Sequence, residues 1–291
     1  MKFTNCQKRS FIFLTIVVLF MCIGSFYDYQ ISLALHNESN LFGIFFAAFG
    51  QFPARICLSV AGTLLIALKE KKFNTYFYYM IGFLLNIIAI YYCAKDFIHY
   101  MNMNPILSLI ITILIITICN LFILHITKET NQQEIKKYII LLIATIILQL
   151  LIVNMIKVPW SRPRMRMISK VPEANFQPWW VIGCANREVI QQLGIANEEF
   201  KSFPSGHTAS AACICLLDTL PILNNKLKNK ENLLYTIGFV FTLMVALSRI
   251  IVGAHFLTDV TVGMLISVGI EYVLTKVLWR NKAIVVVLAV F

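Results

Sequence analysis

The stretch ILSLIITILIITICNLFILH, Ile106 to His125, runs for twenty residues without an Asp, Glu, Lys, Arg or Pro. As a helix it is about 30 Å long, the thickness of the hydrocarbon core of a bilayer. The same pattern recurs on either side, at Phe11 to Phe26, Phe52 to Leu68, Phe77 to Ala94, Tyr138 to Ile156, Gly206 to Leu223, Leu233 to Leu247 and Leu257 to Leu278. With 59% hydrophobic and 13% charged residues in a chain of 291, there is more apolar surface than a soluble domain can bury. The expected architecture is all-α: a polytopic transmembrane helix bundle of about eight crossings, with 1–291 forming a single integral membrane domain. Leu41 to Phe49 is too short to span and reads as an interfacial helix, and AIVVVLAVF at 283–291 is also too short. No internal repeat or low-complexity linker interrupts the pattern. The first run resembles a signal peptide in length and charge, but it lacks a small-residue cleavage site and is expected to be retained as the first helix.

Basic residues stay on the cytoplasmic side of short loops, so their distribution orients the chain. Five segments carry three each: Lys2, Lys8 and Arg9; Lys69, Lys71 and Lys72; Lys128, Lys136 and Lys137; Lys226, Lys228 and Lys230; Lys276, Arg280 and Lys282. Both termini are therefore expected inside. The intervening stretch Tyr27 to Gln51 has no Lys or Arg, and Ala94 to Asn104 has only Lys95. A large outward loop before the sixth crossing, Lys157 to Ser205, breaks the trend with Lys157, Arg162, Arg164, Arg166, Lys170, Arg187 and Lys201. Such an excess suits lipid headgroups or an anionic ligand. The net charge of +11 suits anionic membrane lipids, and nothing in the pattern calls for nucleic acid. The cysteines lie mostly in apolar runs, with Cys184 alone in the large outer loop, so no disulfide framework is expected.

Chemistry-bearing residues gather on this outer side. Pro204 and Gly206 flank Ser205 where the loop enters the sixth crossing, and a helix start presents backbone N–H groups to an anion. Ser205 could instead simply cap the helix. His207 follows in the first turn. At the seventh and eighth crossings, SRIIVGAHFLTD runs from Ser248 to Asp259. His255 and Asp259 are four apart, so on a helix they share a face and Asp259 can accept a ring proton. Arg249 brings a guanidinium fork, and Gly253 permits the turn before His255. Just after the fifth crossing, KVPWSRPRM (Lys157 to Met165) adds an ammonium and two guanidiniums.

Together these segments resemble the type 2 phosphatidic acid phosphatase family, whose membrane members share a phosphate site with vanadium haloperoxidases. Its three motifs read Lys-x6-Arg-Pro, Pro-Ser-Gly-His and Ser-Arg-x5-His-x3-Asp. The second is matched by Pro204, Ser205, Gly206 and His207, and the third by Ser248, Arg249, His255 and Asp259. In the first, Lys157 and Arg164 have the required gap but Met165 stands in place of proline. The motifs lie within 157–259; the resemblance covers about the C-terminal half, and the first helices add two crossings to the six usual in bacterial members.

The resemblance implies a metal-independent hydrolase acting on a phosphoric monoester or diphosphate, with no cofactor. It casts His255 as the nucleophile, Asp259 as the residue fixing its tautomer, and His207 as the proton donor to the departing lipid oxygen. Lys157, Arg164, Arg249, the Ser205 hydroxyl and the backbone N–H groups of Gly206 and His207 would hold the phosphoryl oxygens. Distance rather than the following proline selects Arg164 over Arg162, which is left to a headgroup contact at the rim. No Asp/Glu cluster of metal-ligand spacing lies on this side, so no metal is expected.

The expected substrate is an anionic lipid phosphate at the outer face of a bacterial plasma membrane: undecaprenyl diphosphate, phosphatidylglycerol phosphate or phosphatidic acid, in that order. Trp160, Trp179 and Trp180 read as interfacial anchors. Asp218 and Glu271, nearer the inner ends, read as interhelical or interfacial groups, and His36, His99 and His125 receive no catalytic role. The alternatives are a lipid phosphotransferase, which passes the phosphate to another acceptor, and, from a different class, a lipid transporter that uses the basic loop to gather its cargo.

Overall fold

The computed structural model describes residues 5–68 and 72–280, with the side chains of 5–7, 72–74 and 280 left aside. The expected short C-terminal segment 283–291, and the expected inner residues Lys2, Lys69, Lys71 and Lys282, lie outside the described residues. Among the described residues every regular element is helical. The chain runs α1 (Asn5–Leu35), α2 (Leu41–Phe49), α3 (Phe52–Ala67), α4 (Lys72–Met101), α5 (Pro105–Thr127), α6 (Gln132–Trp160), α7 (Met165–Ile168), α8 (Arg187–Gln192), α9 (Gly206–Ala212), α10 (Leu220–Leu223), α11 (Glu231–Ile251) and α12 (Leu257–Arg280). Eight stretches are long and apolar enough to cross a membrane, as the hydropathy pattern predicts.

The helix carrying Ile106 to His125 shows why this is a membrane fold. Asn104 caps α5 through Oδ1, accepting from Ile106 N at 2.9 Å and Leu107 N at 3.3 Å, and Pro105 sits at its first position. Its buried face carries Ser108 and Thr112, while Ile110 and Leu114 are more than half exposed. Small polar residues inside and large aliphatic ones outside invert the arrangement of a soluble helix, which is the pattern expected when the surroundings are lipid.

Three elements differ from expectation. α1 extends to Leu35, well past Phe26, because a hydropathy window ends with the apolar run whereas backbone hydrogen bonding continues through the polar turn Tyr27 to Gln30. α2 is separated from α3 only by Gly50 and Gln51, so Leu41–Ala67 counts as one long apolar stretch. The sixth crossing is not one regular helix: α9 gives way to a 3-10 segment, Cys213–Thr219, before α10. Here α11 approaches closely, and a Cβ on Gly238 would stand 2.9 Å from the Ile214 carbonyl oxygen.

The chain divides into two compact units. One comprises the described residues of 48–149, 210–241 and 267–280. Its core includes Ala61, Leu64, Ile123, Leu141, Leu142 and Leu220. Ser59, Asn86 and Asn120 join α3, α4 and α5 there through hydrogen bonds of 2.6 to 3.2 Å. Glu271 is buried in this unit and its Oε1 has no hydrogen-bond partner among the described residues, so the expected interhelical bond is not made at that oxygen. The other unit comprises the described residues of 1–47, 150–209 and 242–266, and it contains all three motif segments.

Candidate active site

The turn between α11 and α12 presents His255. Gly253 has φ 66°, a left-handed conformation that glycine adopts without strain, and a Cβ there would meet His36 Nε2 at 2.6 Å. The Arg249 carbonyl closes the turn, accepting from Ala254 N at 3.0 Å and His255 N at 3.2 Å. His255 is 1% exposed, and its Nδ1 lies 2.6 Å from the Ser202 backbone carbonyl oxygen. A carbonyl only accepts, so Nδ1 carries the proton and Nε2 keeps its lone pair. The pairing with Asp259 expected from the i,i+4 spacing is a looser contact, 3.8 Å from Nδ1 to Oδ2. Asp259 instead holds the framework: Oδ2 accepts from Ser202 Oγ at 2.5 Å and Phe256 N at 2.8 Å, and Oδ1 accepts from Arg162 Nη1. Burial lowers the His255 pKa to about 3; Arg164 and Lys157 push the same way and Asp259 opposes them.

Ser205, Gly206 and His207 meet this turn directly. Ser205 N donates to the Asp259 backbone carbonyl at 2.9 Å, and a Cβ on Gly263 would stand 2.3 Å from the Ser205 carbonyl oxygen, so only glycine admits this approach. Ser205 caps the helix start. Its fully buried hydroxyl accepts from Thr208 N at 3.3 Å and shares a 3.0 Å hydrogen bond with Thr208 Oγ1, so it is turned into α9. Gly206 and His207, at the start of α9, remain partly exposed.

The cations converge on the same place. Lys157 lies in the last turn of α6, and its ammonium is 3.5 Å from where a Gly206 Cβ would be. Arg249, Lys157 and Arg164, together with His255, are the titratable groups that bear on the His207 ring. Arg164, at the N-terminus of α7, is also 4.0 Å from Glu199 Oε1. The structure thus brings Lys157, Arg164, Gly206, His207, Arg249 and His255 together.

Arg162 overturns its sequence reading. It is not a rim contact but fully buried, with Nε donating to Gln177 O at 2.8 Å, Nη1 to Thr258 Oγ1 at 2.9 Å and to Asp259, and Nη2 to Asp28 Oδ2 at 2.9 Å. Its guanidinium stacks over Phe256, 4.3 Å from the ring centroid. Ser161, at φ 47°, ends α6 and turns the chain inward at this point.

Sequence reasoning missed Asp28, Ser202, Phe203 and Glu199. Phe203 stacks with Trp160 at 5.4 Å and Trp179 at 6.2 Å, while Trp180 is 54% exposed. The Trp160 and Trp179 indoles donate to Trp179 O and Ser25 Oγ, at 2.5 and 2.9 Å, so these two rings pack the loop onto the site and Trp180 faces outward. Glu199 takes two hydrogen bonds from Arg166, at 3.0 and 2.5 Å. Burial raises the Glu199 carboxyl, but the Arg166 bonds and nearby Arg164 outweigh it and hold it below the ordinary range.

A histidine with a fixed tautomer, a second histidine at a helix start and three surrounding cations make a site suited to a phosphoryl group. The comparisons with known proteins agree with that chemistry. Phosphatidylglycerophosphatase B of Bacillus subtilis (strain 168) is 39% identical over 75 residues, covering 24% of this chain and 35% of that protein. The match thus spans about a third of that relative's length. No solved structure gives a significant match. The family model described as PAP2 superfamily matches residues 138–283, half of the chain and the whole of the motif region, and the chain belongs to that superfamily.

Proposed function

We propose that the protein is a membrane lipid phosphatase that removes the terminal phosphate of a lipid phosphate or diphosphate through a phosphohistidine at His255. The observation that carries this reading is the 2.6 Å bond from His255 Nδ1 to the Ser202 carbonyl, which leaves Nε2 as an oriented lone pair. Lys157, Arg164 and Arg249 neutralise the phosphoryl oxygens, with the backbone N–H groups of Gly206 and His207 completing the cradle. Nε2 forms the N–P bond as the bond from phosphorus to the leaving oxygen breaks, and His207 gives that oxygen a proton. A water then loses a proton to His207 and attacks phosphorus; the N–P electron pair returns to Nε2 and phosphate departs.

Three side-chain cations do here what a divalent ion does elsewhere, so the reaction runs without metal. The three-each pattern of basic segments supports cytoplasmic termini and a site at the outer face of the membrane, and the Bacillus relative is consistent with a bacterial plasma membrane. There the substrate is a phosphate on a membrane anchor. The name of the Bacillus relative adds weight to phosphatidylglycerol phosphate beside undecaprenyl diphosphate and phosphatidic acid.

The test is phosphate release by purified full-length protein, in EDTA, across those three lipids without an added acceptor. Release by the wild type and none by His255→Ala is expected. Phosphate appearing on an added lipid or glycan acceptor, with no free phosphate released in its absence, indicates a phosphotransferase, and strict dependence on added magnesium contradicts the metal-free mechanism.

A further inference from the structure

Asp28 lies in α1, outside the residues matched by the family model, yet it reaches the segments that carry the motifs, at Arg162 and Thr258. It is 2% exposed. Its Oδ1 accepts from Thr258 N at 3.0 Å, across 230 residues of sequence, and its Oδ2 accepts from Thr258 Oγ1 and from Arg162 Nη2. Thr258 stands in the first turn of α12, where backbone N–H groups have no intrahelical acceptor, so Asp28 caps from another helix the element that carries Asp259. Neighbouring contacts seat α1 for this. A Cβ on Gly24 would be 2.6 Å from Thr258 Cγ2, Ser25 accepts from the Trp179 indole, and Asn37 N donates to Ile251 O at 2.7 Å.

We propose that Asp28 is a positioning residue of this active site: with Arg162 and Asp259 it forms a buried triad of one guanidinium between two carboxylates that holds the start of α12 and balances the positive charge His255 gains on phosphorylation. The inference rests on the reading of His255 as nucleophile. The sign follows from counting charges. Two carboxylates against one guanidinium leave one negative charge beside a histidine that is neutral before the reaction. When Nε2 bonds to phosphorus the ring becomes cationic while Nδ1 keeps its proton, and the excess negative charge then favours the product and the transition state leading to it. A single carboxylate would be cancelled by Arg162. Asp28 supplies the surplus without touching the substrate.

Two variants separate the charge from the cap. Asp28→Asn keeps an oxygen for Thr258 N and removes the charge. It is expected to lower kcat and kcat/KM together by about tenfold or more on phosphatidylglycerol phosphate in mixed micelles, with KM unchanged. Asp28→Glu recovers part of that loss, and Tyr27→Phe, whose ring is 57% exposed, behaves as wild type. Asp28→Ala also removes the cap, and hydrogen exchange in the full-length protein is expected to quicken at residues 257–260 relative to wild type. Asp28→Asn turning over at the wild-type rate overturns the inference. So does a fall in activity that merely follows loss of folded protein in a thermal melt. If the wild type releases no phosphate from any lipid in the panel, the phosphatase reading fails. The exchange measurement then decides this inference: unchanged exchange at residues 257–260 in Asp28→Ala overturns it, and faster exchange retains the positioning role.

Discussion

The Ser202 carbonyl oxygen stands 2.6 Å from His255 Nδ1, while the Ser202 hydroxyl donates to Asp259 at 2.5 Å, so one residue holds both side chains through different atoms. Ser202→Ala keeps the carbonyl and therefore the His255 tautomer. It is expected to reduce kcat only severalfold and to cost about 1 kcal/mol of stability. Asp259→Asn leaves Arg162 with one carboxylate and is expected to cost more of both. Parallel kinetics and thermal melts of the two variants check this ordering.

His255 has a folded pKa of about 3 against an ordinary value of 6.5. Between those values the unfolded chain binds a proton that the folded chain does not, so this residue makes stability fall as pH drops from 6.5 towards 3. Above 6.5 it adds no slope. His255→Gln cannot take up that proton, and its melting temperature is expected to decline less on acidification than that of the wild type. Melts across that pH range measure the difference.

The two arginines of KVPWSRPRM have separate tasks. Arg162 joins two buried carboxylates, so Arg162→Lys, which leaves one of them poorly compensated, is expected to destabilise the protein by about 3 kcal/mol or more. Arg164→Lys keeps the charge and loses the fork at the proposed phosphoryl site, and is expected to lower turnover about a hundredfold with little change in melting temperature. Paired kinetics and melts on both variants test this division, and it replaces the rim role that spacing alone assigned to Arg162.

Sidedness is open to chemistry. Asn197 and Asn229 are both exposed. In a Cys184→Ser background, a cysteine at position 197 is expected to react with a membrane-impermeant thiol reagent in intact cells, and one at 229 only after permeabilisation. The opposite pattern contradicts the outward-facing site.

The eight crossings were legible because roughly twenty apolar residues in a row admit few other readings. The Ser205 to His207 and Arg249 to Asp259 segments were legible because their spacing is local. What escaped was non-local or set by backbone geometry. Asp28 contacts Thr258 across 230 positions, and it fell just beyond the apolar run where a hydropathy window ends the first helix. Its signal was a lone carboxylate at the end of a membrane helix, where an ionisable side chain demands a partner. Ser202 meets His255 through its carbonyl, an atom every residue carries, so no side-chain motif points to that contact. The 3-10 segment in the sixth crossing is as apolar as an α-helix of the same residues, and hydropathy does not separate the two.

The central claim is that phosphate passes through His255. A lipid carrying radiolabelled terminal phosphate, mixed briefly with purified protein and quenched in alkali, where a phosphohistidine survives, tests it most directly. Label is expected on the peptide containing His255, chased to free phosphate with time. No label is expected in His255→Ala, and label is expected to persist in His207→Ala when the leaving group is good. Rapid phosphate release by the wild type with no label at His255, or by His255→Ala at an undiminished rate, would contradict it.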